Sequence, residues 1–106
     1  MTVKLNREEF EAQTAKPDAV SMIEFYTDSC IPCKRLAPLL DEVDEANSGL
    51  FVGKVNAAEE MSLAMDLKVF STPTLLFYKD GAEAERLSGS VRKAQLEETI
   101  AKYLEK

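Results

Sequence analysis

The 106-residue chain has no histidine, no tryptophan and only two cysteines. A structural zinc site takes about four nitrogen or sulfur ligands, so one copy of this chain lacks the donors to build it. Two copies pooling their cysteines around zinc or an iron–sulfur cluster are the one metal arrangement left open. No apolar run approaches the roughly 18 residues of a membrane span, and Met1 opens no secretory-type segment. Basic side chains are outnumbered 13 to 19, for a net charge of −6. That balance argues against a nucleic-acid backbone or an anionic membrane as partner, because both reward clustered Lys and Arg. No linker, repeat or low-complexity tract divides the chain. The expectation is one cytoplasmic domain over residues 1–106, monomeric by default. It is large enough for a single core without disulfide staples, so the two cysteines have no evident structural duty.

What is present is an alternation of helical and extended patterns. At 45% hydrophobic and 30% charged residues the chain is of globular composition. Asn6 can cap a helix over Arg7 to Ala15, with Glu8 and Glu9 in its first turn. Val20 to Tyr26 is nearly continuous apolar, interrupted only by Ser21 and Glu24, and reads as a strand covered on both faces. From Pro32, Leu36, Leu39, Leu40 and Val43 recur at helical spacing until Asn47-Ser48-Gly49. Leu50 to Asn56 reads as a strand, followed by a helix with Met61, Ala64 and Met65 on one face as core packing. Strand, helix, strand implies a parallel crossover. Thr74 to Tyr78 and Glu83 to Ser88, joined through Asp80-Gly81, read as an antiparallel hairpin. Val91 to Leu104 closes the chain as a helix; Glu97, Glu98, Lys102, Glu105 and Lys106 make its exposed face. The fold class is α/β, a mixed sheet between helical layers.

The cysteines stand as Cys30-Ile31-Pro32-Cys33, between the first long strand and the helix after it. A helix start offers unpaired N–H groups and the positive end of the macrodipole, which favour thiolate over thiol. Two intervening residues let one sulfur reach the other, so this spacing suits a reversible dithiol switch. Lys34 and Arg35 either raise the local positive potential or form the solvated side of the helix. Glu24 sits within an otherwise apolar strand, where an isolated carboxylate is costly unless paired, protonated or employed. The alternative is a strand-edge carboxylate facing solvent.

The run Ile23-Glu24-Phe25-Tyr26-Thr27-Asp28-Ser29-Cys30-Ile31-Pro32-Cys33-Lys34, with Leu36-Ala37-Pro38 after it, resembles the active-site segment of thioredoxins. Ser71-Thr72-Pro73-Thr74-Leu75 resembles the loop that faces that site, and element order matches from about Asn6 to Leu104. The resemblance implies a three-layer sandwich, a central mixed sheet flanked by four helices. It also implies that Cys30 attacks substrate disulfides, that Cys33 resolves the mixed disulfide, and that Glu24 accepts the Cys33 proton, where relatives commonly carry aspartate. Lys54 matches a lysine paired with that acid, or is an ordinary strand lysine. Pro73 is implied to follow a cis bond that presents Thr72 to an extended substrate, and Pro38 to bend the helix.

The departures are Ser29 before Cys30, Ile31 in place of glycine, and Tyr26 where tryptophan is common. Ile31 stands beside the sulfur implied to attack, and the resemblance implies that Ile31 and Pro32 contact the substrate. The implied function is reduction of protein disulfides through a Cys30–Cys33 dithiol with no other cofactor, recharged by a flavin-containing thioredoxin reductase. An oxidant or isomerase, a glutaredoxin-like protein and a non-catalytic binding module are the competing readings.

Overall fold

The computed structural model describes residues 2–104; Met1, Glu105 and Lys106 lie outside them. In chain order the elements are β1 (Val3–Lys4), α1 (Arg7–Thr14), β2 (Val20–Tyr26), α2 (Ile31–Ala46), β3 (Leu50–Asn56), α3 (Met61–Asp66), β4 (Thr74–Lys79), β5 (Ala82–Ser88) and α4 (Lys93–Leu104). Helix α1 begins where its sequence dictates. The Asn6 side chain accepts the Glu9 N–H at 2.9 Å and the Glu9 carboxylate accepts the Asn6 N–H at 2.9 Å, a reciprocal capping box. At the hairpin, Asp80 and Gly81 both hold positive φ, 54° and 83°, the backbone sign that a two-residue β4–β5 turn requires.

The sheet order is β1-β3-β2-β4-β5. β3 runs parallel to β1 and β2, whereas β4 runs antiparallel to β2 and β5. Side-chain alternation along the central strands sends successive residues into two separate cores. Val20 and Met22 pack with Val52, Leu75 and Phe77 against Leu36, Leu40 and Val43 of α2 and Leu96 and Ile100 of α4. Ile23 and Phe25 pack with Val55, Leu76 and Tyr78 against Phe10 of α1 and Leu63 and Ala64 of α3. The result is the expected three-layer sandwich. Parity along β2 decides where its carboxylate goes. Glu24 belongs with Val20 and Met22 on the α2 face, beside Lys54 of β3 in register.

One element lies outside the expected set and one expectation is corrected. β1 has no periodic signal of its own; its two residues form an edge strand because Val3 and Lys4 pair with Gly53 and Lys54. Met61 and Met65 are not core: they are 60% and 63% exposed, and α3 instead buries Leu63 and Ala64. Six residues make less than two turns, too few for an apolar pattern to define a face. Tertiary contacts set the helix orientation instead. The Arg86 guanidinium on β5 forms a fork with Glu83 and donates to the Leu67 and Lys68 carbonyls just past α3, at 3.1 and 3.3 Å.

Candidate active site

Strand β2, the central strand, ends at Tyr26, and a short loop leads from there to α2. The Cys30 N–H donates to the Thr27 carbonyl at 3.2 Å, closing that loop. Cys30 is the N-cap of α2, with Pro32 in the first turn, where its missing N–H costs nothing. The Cys30 sulfur is bonded to Cys33 and accepts the Cys33 N–H at 3.2 Å. The Cys30 sulfur thus already has a helix-terminal donor that would favour its thiolate form. Both cysteines are largely buried, Cys33 slightly more than Cys30, while Ile31 between them is 53% exposed and Pro32 is exposed. Lys34 and Arg35 are exposed on α2. The helix continues through Pro38, which has no N–H to return to the Lys34 carbonyl.

Behind the disulfide, Glu24, Cys33, Lys34, Ala37 and Lys54 line one cleft of about 200 Å³. Glu24 is 4% exposed, and its Oε2 has no hydrogen-bond partner. Burial pushes its carboxyl up to about 7, against a smaller downward pull from the Lys54 ammonium. The Lys54 ammonium itself lies 5.5 Å from the centre of the half-buried Tyr26 ring, a cation–π contact. These groups sit together because β2 and β3 pair in register and α2 covers their ends; Lys54 is half-buried.

The Thr72–Pro73 peptide is cis, and Pro73 is buried. It lies between two surface grooves. One is walled by Pro73, Pro32, Arg35, Leu39 and Val91. The other takes Thr72, Thr27, Met61, Met65 and Phe70. Phe70 is 81% exposed, and with the two methionines it forms an apolar shelf beside the site. Sequence reasoning missed this shelf. Its one available signal was a large aromatic next to a Ser-Thr-Pro loop, outside any periodic element.

Among the described residues no group of three or more His, Cys, Asp or Glu side chains is arranged to hold a metal ion. No helix in them is long and apolar enough to cross a membrane. A disulfide closing so short a loop removes less chain entropy from the unfolded state than one closing a long loop. Placed at a helix mouth beside open grooves, it defines a class: proteins that exchange their own disulfide against thiols.

Comparison with known proteins gives the family. The Thioredoxin family profile matches residues 1–102. Thioredoxin H-type of Oryza sativa subsp. indica is 37% identical over 102 residues, covering 93% of this chain and 83% of the rice protein. The chloroplastic thioredoxin M-type of Spinacia oleracea is 39% identical over 84 residues, 78% of this chain but only 46% of the spinach chain. A mutant thioredoxin from Halobacterium salinarum NRC-1 superposes with a TM-score of 0.89 at 28% identity, covering 96% of this chain and 89% of that one. The chain belongs to the thioredoxin family, and it is a thiol–disulfide oxidoreductase whose redox centre is its own Cys30–Cys33 pair. Thioredoxins need no external cofactor for this exchange.

Proposed function

We propose that this protein works as a reductase of protein disulfides, with Cys30 as nucleophile, Cys33 as resolving thiol and Glu24 as proton acceptor for Cys33. The observation that carries the reading is the shared cleft. A buried carboxylate poised near neutrality lines the same cleft as the more buried cysteine. The Cys30 thiolate, favoured by the Cys33 N–H and the α2 terminus, attacks a substrate sulfur and expels the first substrate thiolate. Glu24 then takes the Cys33 proton through the cleft. The Cys33 thiolate attacks the Cys30 sulfur and expels the second substrate thiolate, which takes the proton held by Glu24, while solvent protonates the first. Two electrons pass to the substrate, and the Cys30–Cys33 disulfide is left behind. Lys54 and Tyr26 tune Glu24, and Pro38 has a structural role in α2.

The substrate segment lies along Thr72 and Pro73, with Ile31 and Pro32 against its cysteine. Exposed Ile31 and the two grooves meeting at this peptide support that placement. A flavin-containing thioredoxin reductase recharges the disulfide, and a cytoplasmic setting, which keeps such dithiols reduced, suits this direction. The test combines trapping with potential. Cys33→Ser should accumulate a mixed disulfide through Cys30 on disulfide substrates, and Cys30→Ser should not. A pair potential near about −270 mV supports a reductase; one near about −120 mV makes the protein an oxidant.

A further inference from the structure

We propose that the groove on the Pro73 side of the disulfide receives an acidic side chain flanking the target disulfide of a polypeptide substrate, with Arg35 and Arg92 as the residues that select it. The inference rests on the reductase reading and narrows its substrate class. Its starting point is how the chain distributes its four arginines. Arg7 pairs with Glu11 and Asp66, and Arg86 with Glu83. Arg35 and Arg92 have no acidic partner among the described residues, although the chain carries 19 carboxylate side chains. Arg35 lines the groove that also contains Pro32 and Pro73, and Arg92 directly follows Val91, another of its lining residues.

The neighbouring surfaces sharpen the contrast. The shelf on the Thr72 side has no charged residue in its wall. The cleft behind Cys33 mixes Glu24 and Asp28 with Lys34 and Lys54. Only the Pro73-side groove, about 210 Å³ in volume, carries a cation with no anion in its lining. Leu39, Pro73 and Val91 give it apolar walls that lower local screening, and Ser90 adds a hydroxyl at the rim. A guanidinium fork matches a carboxylate in two parallel hydrogen bonds, so the ligand chemistry is an Asp or Glu side chain. A substrate backbone laid along Thr72 and Pro73 brings its next residues to this groove.

The experiment uses the full chain, reduced to the dithiol and freed of reductant. It is mixed with peptides that each hold one intramolecular disulfide and differ only in Glu, Gln or Lys beside the attacked cysteine. A fourth peptide carries its Glu far from the disulfide. Peptide thiols are counted after acid quenching. At low ionic strength the adjacent-Glu peptide should be reduced about fivefold faster than the Gln peptide, and the Lys peptide more slowly. The distal-Glu peptide should show no such gain. Net charge alone predicts the opposite order, because the protein is at −6. The Glu-to-Gln ratio should fall toward one in high salt and in an Arg35→Gln/Arg92→Gln double variant. Equal rates for the four peptides, or an unchanged ratio in the double variant, overturn the inference while leaving the reductase reading intact. Failure of the verified dithiol to reduce any peptide overturns both.

Discussion

Replacing Glu24 with glutamine isolates the cost of its buried charge. The carboxyl ordinarily ionises near 4.5, and in the fold it does so at about 7, chiefly because burial disfavours the anion. The folded protein therefore binds this proton more tightly than the unfolded chain between those values. Stability falls as pH rises from about 4.5 to about 7 and is level beyond. The gap of about 2.5 pH units corresponds to roughly 3 kcal/mol. Glutamine has nearly the same shape and no titration. Its buried amide carries a cost of its own, on the order of 1–3 kcal/mol, but that cost does not vary with pH. The informative quantity is a double difference: stability of Glu24→Gln minus that of the parent, at pH 8 and again at pH 4.5. Urea unfolding of the disulfide-bonded forms should give a difference about 3 kcal/mol larger at pH 8. A difference that stays flat across this range would refute the idea that burial holds Glu24 near neutrality.

The same substitution has a kinetic counterpart: the rate at which Cys33 resolves a preformed mixed disulfide should rise through a midpoint near pH 7 in the parent. Glu24→Gln should lose that midpoint and run about 10²-fold slower above it, which rapid-quench kinetics would register. Phe70→Ser, at an 81% exposed position, should change unfolding free energy by less than about 0.5 kcal/mol. It should nevertheless raise KM for substrates with an apolar side chain beside the disulfide, and an unchanged KM would remove the shelf from the substrate surface. Asn6→Ala should cost about 1 kcal/mol in thermal or urea unfolding, since it leaves the Glu9 N–H without its cap.

Sequence alone determined the features that depend on neighbours along the chain. Asn6 and Glu9 close their capping box within three residues. Asp80-Gly81 makes the hairpin because its backbone sign is a local property. Cys30 and Cys33 meet because two residues separate them at a helix start. The burial of Glu24 was one of two readings open in the sequence, as a charge in a strand whose only other polar residue is Ser21.

Tertiary structure alone decided which distant groups share a surface. Helix α3 is too short to choose its own face, so packing of Leu63 and Ala64 and the Arg86 clamp turned Met61 and Met65 outward. Val3 and Lys4 became a strand only because β3 offered them an edge. Cys33 and Glu24 line one cleft because α2 crosses the ends of β2 and β3. Arg35 and Val91 line one groove because α2 and the segment leading into α4 lie on the same face of the sheet. The physical reason is common to these cases. Periodicity and caps act over a turn or a pleat, whereas surface chemistry is set by how layers stack, and no local pattern encodes that stacking.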